Sequence, residues 1–437
     1  ARDPLNAEQA AQLCEQLKGE DVEAVAVCFL HSYANPEHEQ AVGAIIKAAN
    51  PDWYVSLSHE IMREYREFER TSTTVVNAYI GPRMSGYVRN LEDRLKNIGF
   101  AGELSIMQSN GGVMTPEVAV QKPVTMMESG PVGGIIASAA LGRALGFENV
   151  ISFDMGGTTA KTSLIRSGQP TMAEGYYVGG YASGDPVMSP VVDVVEVGAG
   201  GGSIAWIDEV GALKVGPQSS GADPGPICYR AGGEEPTITD ANVVLGRVGA
   251  ADFLGGEMSL DMDGAVNGTK EKLADKLGMS VNAVAAAIIE IAVTKMSLAV
   301  REVSVEKGYD PRDFVLIASG GAGPLHAVAI ARELHIPTVI IPLFPSHFSA
   351  LGMLMADERQ DFIQTYLANL NDVDFRELLT IHSDMQALAE QDIKLKDNME
   401  VEIKLDLRYV GQEFTLSVPV DLAQIENADA AGIRKAY

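Results

Sequence analysis

The segment FDMGGTTAKTSLI, residues 153–165, constrains the fold of this chain more than any other part of its sequence. An apolar run brings Asp154 to a turn of two glycines and two threonines, and a second apolar run follows, which predicts a β-hairpin over residues 150–166. Glycines let backbone N–H groups approach phosphate oxygens, threonine hydroxyls add donors, and an aspartate at a strand end can hold Mg²⁺ through water. An ordinary hairpin turn is the alternative. We predict a phosphate-binding turn made of Asp154, Gly156, Gly157, Thr158 and Thr159, with Asp154 also at the metal.

Two further glycine clusters could contact the same ligand. GAGGGS, residues 198–203, lies between apolar residues, although such turns also occur for steric reasons alone. In SGGAGPLHA, residues 319–327, a predicted strand ends at two glycines and a helix begins near Pro324, and the N–H groups of a helix N-terminus suit a phosphate or a base lying on glycines. The latter lacks the GxGxxG register and no Walker lysine follows any glycine loop, which excludes the Rossmann and P-loop classes. The candidate nucleotide-binding residues here are Gly200, Gly201, Gly202, Gly320, Gly321, Gly323 and His326, with a packing role as the alternative for His326.

Helix and strand signals alternate along the rest of the chain and predict an α/β protein. Residues 176–256 are dense in glycine and proline without helical periodicity, which predicts loops and short strands. Strands are predicted at residues 22–30, 53–57, 314–319 and 338–341, with a terminal hairpin at residues 402–410 and 413–420. Helices are predicted from the cap Asn6 to Gly19, after Asn35 and Pro36, within residues 73–95 with a break at Gly81 and Pro82, from the cap Ser280 to Lys307, and at residues 325–334.

Charge, cysteine usage and histidine spacing exclude several classes of protein. The chain has 33 Lys+Arg against 59 Asp+Glu, a net charge of −26, which argues against nucleic acid and anionic membrane surfaces as partners. The most apolar long stretch carries Glu290 and Lys295 and is therefore predicted to be a buried helix rather than a membrane span. Three widely spaced cysteines fit neither a disulfide framework nor a metal knuckle, which favours the cytoplasm. The seven histidines lack the spacing of a zinc site.

The three glycine elements on either side of a long helix resemble those of the actin, sugar-kinase and chaperone-ATPase superfamily. Longer strings resemble the hydantoinase A family, which includes ATP-dependent N-methylhydantoinases, 5-oxoprolinases and the ATP-binding subunits of acetone and acetophenone carboxylases. Besides the glycine clusters, these strings are HEIMREYREFERTSTTVVNAYI at residues 59–80, SNGG at 109–112, ESGPVGG at 128–134, SSGADPGPICY at 219–229, TITDANVVLGR at 237–247 and LRYVGQEF at 407–414.

The resemblance implies a two-lobed, ribonuclease H-like α/β fold with a small C-terminal β-rich segment. Residues 1–145 would form a partial N-terminal lobe, 146–360 a second lobe with the phosphate and adenosine loops, and 361–437 an incomplete α+β segment. Nothing before His59 matches the aspartate-glycine-glycine-threonine turn that opens family members, and the family continues beyond Tyr437. We therefore expect both ends of a longer protein to be missing and this polypeptide to be inactive by itself.

The same resemblance implies ATP and Mg²⁺ as cofactors and a cyclic amide as the substrate. Phosphorylation of the amide oxygen would lead to ring-opening hydrolysis. A ketone substrate, or a regulatory subunit that binds ATP without chemistry of its own, stays open. By resemblance Asp223 and Asp240 line the cleft with Asp154 as catalytic residues, with turn chemistry as the alternative for Asp223 and Asp240. A hydantoinase B-type second subunit and a homo-oligomer are the expected assembly.

Overall fold

Strands and helices alternate along the chain as an α/β protein requires, in a computed structural model that describes residues 4–180, 183–251, 253–393 and 399–437. The strands in these ranges are β1 (Ala24–Val27), β2 (Tyr54–Leu57), β3 (Ile106–Met107), β4 (Val113–Met114), β5 (Val150–Met155), β6 (Ala160–Arg166), β7 (Gln169–Pro170), β8 (Tyr176–Val178), β9 (Asp185–Val187), β10 (Val195–Val197), β11 (Ser203–Ile207), β12 (Leu213–Ser219), β13 (Val315–Ser319), β14 (Thr338–Ile340), β15 (Ile403–Leu407) and β16 (Leu416–Val420). The α-helices are α1 (Ala7–Leu17), α2 (Glu37–Ala49), α3 (Ser58–Ile61), α4 (Glu67–Asn97), α5 (Pro116–Gln121), α6 (Ser129–Ala144), α7 (Ile238–Val244), α8 (Met262–Thr269), α9 (Asp275–Leu277), α10 (Val281–Val303), α11 (Gly323–Leu334), α12 (Phe348–Met355), α13 (Phe375–Asp392), α14 (Leu422–Glu426) and α15 (Ala430–Ala436).

A six-stranded mixed sheet forms the centre of the fold. Its strand order is β10-β6-β5-β13-β14, and β7 also pairs with β6. β5 and β6 form the predicted antiparallel hairpin, which is confirmed, and β10 continues the antiparallel side. β13 runs parallel to both β5 and β14, so the predicted strand-helix-strand unit is confirmed as β13-α11-β14. The order therefore places the ends of β5 and β13, with their glycine turns, side by side.

Both faces of this sheet are covered by helices, which explains why its central strands are almost entirely apolar. Along β13, Leu316 and Ala318 belong to a core cluster that contains α10 and α11, whereas Val315 and Ile317 belong to a second cluster with α6 and α12. Successive side chains of a strand point to opposite faces, so one short strand serves both clusters. The sheet is thus the middle layer of three.

The long apolar helix α10 lies in the first of these clusters. The Ser280 side chain accepts a hydrogen bond from Ala283 N at its start, and Gly308 adopts the left-handed conformation, φ 83°, after a final turn. Both features were predicted and are confirmed. In the described part of the chain, Val281–Lys307 is the one stretch long and apolar enough to cross a membrane. Its buried side chains contact the sheet, as expected of a core helix.

Residues 4–61 form a smaller unit of two parallel strands joined by a helix. β1 pairs with β2, α2 connects them, and Asn6 caps α1 by accepting a hydrogen bond from Gln9 N, as predicted. β1 is shorter than its apolar run, and it was predicted to be buried on both faces but is only partly buried. Among the described residues this sheet has two strands, so it does not repeat the six-stranded sheet.

The predicted break at Gly81 and Pro82 is wrong, because α4 runs through both residues. Proline inside a helix costs roughly 3 kcal/mol through its missing N–H and its clash with the preceding turn. Contacts of α4 with β1, β2, β9 and α5 hold the helix together across this point. Gly81 is needed there because a Cβ would overlap the ring of Tyr54. Tertiary packing therefore overrides the local signal.

Two further outcomes concern the glycine-rich stretch and the C-terminal end. Residues 176–256 contain the predicted short strands but also α7, so the expectation that this stretch lacks a helix is wrong. Thr237 caps α7 in a reciprocal capping box with Asp240, which gives a physical reason for a helix there. The predicted terminal hairpin is confirmed as β15 and β16.

Candidate functional site

The turn between β5 and β6 lies at the end of the central sheet, and some of its backbone N–H groups have no recorded hydrogen-bond partner among the described residues. Gly156 N donates to the Thr159 carbonyl within the turn (3.2 Å). Among the described residues, no bond is recorded for the N–H groups of Gly157 and Thr158. A Cβ on Gly156 or Gly157 would meet no atom within 4 Å, so open space adjoins both glycines. The turn thus presents unpaired donors to an accessible volume.

A cavity of about 300 Å³ lies against this turn. The first turn of α6 forms the opposite wall through Gly130 and Pro131. The free N–H groups of this helix N-terminus add positive potential to the donors of the β5–β6 turn. The predicted residues that the cavity brings together are Asp154, Gly156, Gly157, Thr158 and Thr159, and Lys161 also lines it.

Asp154 is half-buried at the end of β5, directly beside the turn. Burial raises the pKa of its carboxyl above the ordinary value, while the charge of Lys161 and a hydrogen bond from Ser349 act in the opposite direction. Lys161 is the cross-strand partner of Asp154 and donates to the Thr159 hydroxyl (2.9 Å). Its Nζ also lies 3.3 Å from a carboxylate oxygen of Glu196. A cation brought to Asp154 would therefore relieve an unfavourable burial of charge.

The GAGGGS loop supports the turn from behind. Gly201 N donates to Gly156 O (3.0 Å) and Gly202 N donates to Gly157 O (2.6 Å). The N–H of Gly200 donates to the Ser203 hydroxyl (2.8 Å), and a Cβ on Gly200 would overlap the backbone of Thr158. All three predicted amides are therefore used inside the protein. The hydrogen bonds of this loop fix the position of the predicted phosphate-binding turn.

The SGGAGP turn after β13 reaches Asp154 from the other side. Gly320 has φ +80°, and a Cβ there would overlap the Asp154 carboxylate. Gly320 N donates to Pro345 O (2.9 Å) and Ala322 N donates to Met155 O (3.0 Å), so the turn is tied to β5. Among described residues no bond is recorded for the N–H groups of Gly321 and Gly323, the latter at the start of α11.

Besides the six glycines of the two other turns, three predicted site residues do not line the cavity, and Asp240 is the clearest of them. Its side chain is fully buried and accepts hydrogen bonds from Cys228 N (2.8 Å), Ile227 N (3.2 Å), Thr237 N (2.9 Å) and the Thr237 hydroxyl (2.8 Å). Both carboxylate oxygens are bound by donors of the protein, and the side chain has no exposed surface that a substrate could reach. Through its bonds to Ile227 N and Cys228 N, Asp240 holds the turn at residues 227–228 against α7.

Asp223 and His326 also lie away from the cavity lining. Asp223 is exposed in the loop after β12, which contacts the GAGGGS loop through Ser220 N and Gly202 O (2.8 Å). His326 is fully buried on α11, with Nε2 3.4 Å from the Asn242 amide nitrogen. Burial, helped by the charge of Arg247, lowers the pKa of His326 to about 4, so the imidazole is neutral.

The helix α6 was missed from the sequence, although its residues were noted as a string. ESGPVGG carries a proline and three glycines, which argue against a helix by propensity. Pro131 nevertheless falls in the first turn, where a missing N–H costs nothing. Proline placed just inside a helix start was the available signal.

No group of three or more metal-ligating side chains occurs in residues 4–180, 183–251, 253–393 and 399–437.

Comparison with protein families assigns this chain. The model of the hydantoinase/oxoprolinase family matches residues 70–362, and the model of the hydantoinase/oxoprolinase N-terminal region matches residues 2–49. The chain belongs to the hydantoinase/oxoprolinase family. The family predicted from the motifs is therefore confirmed.

Individual relatives extend this result along nearly the whole chain. The caprolactamase subunit alpha of Pseudomonas jessenii is 36% identical, with 99% of this chain and 63% of that protein aligned. An uncharacterised protein of Methanocaldococcus jannaschii is 45% identical over 95% of this chain and 62% of its own length. The acetophenone carboxylase gamma subunit of Aromatoleum aromaticum is 31% identical, with 98% of this chain and 60% of that protein aligned. The chain thus spans 60–63% of the length of these relatives.

Two solved structures share the fold over almost every residue. The crystal structure of the ATP-dependent caprolactamase from Pseudomonas jessenii superposes with a TM-score of 0.84 at 35% identity, covering 100% of this chain and 63% of that one. The second is the nucleotide-free structure of acetone carboxylase, described as part of a mechanism of ATP-dependent acetone carboxylation. It superposes with a TM-score of 0.77 at 28% identity and covers 99% of this chain and 64% of that one. The α/β fold is common to all three proteins.

Proposed function

We propose that this chain binds ATP at the turn between β5 and β6 and serves the ATP-dependent activation of a cyclic amide such as a hydantoin or 5-oxoproline. The observation that carries the proposal is the cavity lined by Asp154, the two glycines and the two threonines. Free backbone donors and a half-buried carboxylate at one strand end suit a phosphate chain with its cation. Membership in the hydantoinase/oxoprolinase family supports the same activity.

The chemistry follows from the stability of the amide bond. Resonance makes the amide carbonyl a poor electrophile, so direct attack by water is slow. Transfer of the γ-phosphoryl group to the carbonyl oxygen makes the carbonyl carbon a better electrophile. Water can then add to this carbon, the C–N bond breaks to open the ring, and phosphate leaves when the resulting acyl phosphate is hydrolysed. The N–H groups of Gly157 and Thr158 would bind phosphate oxygens, since no bond is recorded for either among the described residues and both residues line the cavity. Such preorganised donors stabilise the charge that develops during transfer.

Asp154 fits Mg²⁺ as the residue that would hold it, directly or through water. Mg²⁺ in nucleotide sites is held by one or two carboxylates together with phosphates and several waters, so a single carboxylate suffices. When bound, Mg²⁺ neutralises negative charge on the phosphates. Burial raises the pKa of Asp154 in spite of Lys161 and Ser349, so a cation bound there would stabilise the ionised carboxylate.

A ketone is the second candidate substrate, and the likeness to acetophenone carboxylase gamma subunit and to acetone carboxylase favours it. The phosphorylated atom would then be an enolate oxygen. The names of three relatives describe them as subunits, which supports a second subunit of the hydantoinase B type as partner. Homo-oligomerisation and a cytoplasmic location are further proposals, the latter supported by three free cysteines.

We also propose the ribonuclease H-like assignment for residues 146–360. The support is the strand order, in which an antiparallel hairpin and a third strand lie beside two parallel strands. Residues 1–145 and 361–437 would then be a partial N-terminal lobe and an incomplete C-terminal segment.

The substitution Asp154→Ala tests the nucleotide site. Isothermal titration with Mg-ATP should show lost or strongly weakened binding, whereas Asp263→Ala, at an exposed position on α8, should bind as the wild type does. Equal affinity in both variants would refute the site. ADP release measured with hydantoin, 5-oxoproline, caprolactam, acetone and acetophenone, on the complete protein with its partner, then identifies the substrate. ATP turnover that needs none of them would favour a regulatory subunit.

A further inference from the structure

Three charged side chains form a row across the central sheet, at the end that carries the predicted phosphate-binding turn. Lys161 on β6 lies directly opposite Asp154 on β5 and, on its other side, directly opposite Glu196 on β10. Residues directly opposite each other in adjacent antiparallel strands have their side chains on the same face of the sheet. The row therefore reads carboxylate, ammonium, carboxylate, with the ammonium in the middle.

The ammonium of Lys161 is shared unequally between its neighbours. Its Nζ lies 3.3 Å from Oε1 of Glu196 and donates to the Thr159 hydroxyl (2.9 Å). Among the described residues, no ion pair is recorded between Lys161 and Asp154. Burial raises the pKa of the Asp154 carboxyl, and the positive charge of Lys161 opposes this only in part. Glu196 is thus the direct partner of the ammonium.

The ion pair between Lys161 and Glu196 is open to water. The two side chains are 25% and 43% exposed, respectively. Water screens a pair of this kind, so it contributes little to stability. A lysine side chain also carries its ammonium on a flexible four-carbon stem with three donors. The ammonium can therefore leave Glu196 at small cost when a stronger anion is within reach.

Lys161 is the one cationic residue among those that line the cavity at the β5–β6 turn. Thr159, to which its ammonium donates, lines the same cavity. So do Gly157 and Thr158, whose N–H groups have no recorded bond among the described residues. A phosphate held by these N–H groups would therefore share the cavity with the ammonium.

Negative charge is concentrated around this end of the sheet. The Tyr176 hydroxyl lies 3.5 Å from a carboxylate oxygen of Glu128, which immediately precedes α6. Burial raises the pKa of Tyr176, and the charges of Glu128 and Glu196 raise it further. Carboxylates so placed repel a phosphate chain. Lys161 supplies a positive charge from within the cavity lining that offsets this repulsion.

We propose that Lys161 binds a phosphate oxygen of the nucleotide and gives up its ion pair with Glu196 for that contact, an inference that rests on the proposed function. No covalent bond changes in this exchange, in which the ammonium moves from one anion to another. A hydrogen bond between an ammonium and a phosphate oxygen is charge-assisted and short, and it is stronger than a screened surface ion pair. Glu196 positions the ammonium beside the turn and competes with the nucleotide for it.

Isothermal titration of the full-length protein with Mg-ATP tests the exchange through two variants with opposite expected effects. Lys161→Gln should weaken binding about 10- to 100-fold, because a hydrogen bond between charged groups is lost. Glu196→Gln should tighten binding about 2- to 5-fold, because the competing carboxylate is removed. Lys161→Arg keeps the charge and should lose less affinity than Lys161→Gln. The matched control is Lys214→Gln, since Lys214 also pairs with a carboxylate, that of Asp208 (3.5 Å), but does not line the cavity. It should bind as the wild type does.

The double variant Lys161→Gln with Glu196→Gln decides whether the two residues act together. If Glu196 competes for the ammonium, its replacement tightens binding only while Lys161 is present, so the double variant should bind like Lys161→Gln. Tightening by the same factor in both backgrounds would overturn the exchange, because Glu196 would then act by its charge alone. Unchanged or weaker binding by Glu196→Gln would also overturn it.

The remaining outcomes separate this proposal from the one on which it rests. Wild-type affinity in Lys161→Gln would overturn the role of Lys161 and leave the proposed nucleotide site standing. Absence of Mg-ATP binding by the wild type would overturn the proposed function, and this proposal with it. If Lys161→Gln does not fold, limited acetylation of the wild type with acetic anhydride still decides. Mg-ATP should protect Lys161 but not Lys214, and equal acetylation of Lys161 with and without Mg-ATP would overturn the proposal.

Discussion

Gly320 packs its Cα directly against the carboxylate of Asp154, leaving no room for a side chain between the two glycine turns. The φ of +80° at Gly320 adds a second reason for glycine, because residues with a Cβ rarely adopt this conformation. The position of the proposed cation-binding carboxylate therefore depends on a residue in the turn that follows a different strand, β13.

Gly320→Ala should weaken both stability and nucleotide binding. Backbone strain at positive φ costs of order 1–3 kcal/mol in the free energy of unfolding, and the overlap should also displace Asp154. Urea unfolding and titration with Mg-ATP measure the two effects. Gly321→Ala is the matched control, since a Cβ there meets nothing within 4 Å, and it should leave stability nearly unchanged. Equal stability of the two variants would contradict this account of the turn.

Gly200→Ala should separate the GAGGGS loop from the turn that it supports. The added Cβ would overlap the backbone of Gly157 and Thr158, and forced overpacking costs about 1–3 kcal/mol. We expect a lower urea midpoint together with weaker Mg-ATP binding. Gly86→Ala, at an exposed position inside α4 with nothing within 4 Å, should instead raise stability by up to about 1 kcal/mol. Full nucleotide affinity in Gly200→Ala would show that the loop is not a support.

Asp240→Asn should destabilise the protein without weakening Mg-ATP binding by the folded fraction. At least one of the four donors would then face an amide NH₂, and a lost hydrogen bond to a charged group costs about 1.5–3 kcal/mol. Asp263→Asn, exposed on α8, should change stability by less than about 0.5 kcal/mol. Lost ADP release at unchanged stability would instead assign Asp240 to the chemistry.

Stability should depend on Glu64 between pH 4.5 and 7. Burial and the nearby charge of Asp406 raise the pKa of Glu64 from 4.5 to about 7. A carboxyl whose folded pKa is raised contributes stability that is fully present below the unfolded pKa and is lost as pH rises through the folded one. Urea midpoints of the wild type relative to Glu64→Gln should therefore fall across this window. Glu209→Gln, at an exposed position, should show no such trend.

The sequence predicted those parts of the molecule whose signals are local. The hairpin over residues 150–166 was predicted correctly because the glycine turn and the two apolar runs that determine it all lie within this segment. The cap at Ser280 and the left-handed Gly308 were likewise readable from neighbouring residues. The capping pattern of Thr237 and Asp240 was also present in the sequence, and it explains the buried aspartate better than a catalytic role.

Features that rest on distant contacts were not predictable in this way. The glycines of ESGPVGG read as helix breakers, but Gly133 lies so close to Gly352 of α12 that a Cβ on Gly352 would overlap its carbonyl oxygen. That contact joins residues more than 200 positions apart, and no local pattern reveals it. The cavity wall formed by Gly130 and Pro131 of α6 depends on the same packing, so this part of the candidate site could not be found from spacing.

The hydrogen bonds that join the three glycine turns organise the binding surface before any ligand arrives. Gly201 and Gly202 hold Gly156 and Gly157, and Ala322 holds Met155. A phosphate-bearing ligand would therefore meet a surface that is already organised, and little conformational entropy would be lost in arranging it. We expect the turns to move as one rigid piece during any opening or closing, with the change of shape confined to the segments around them.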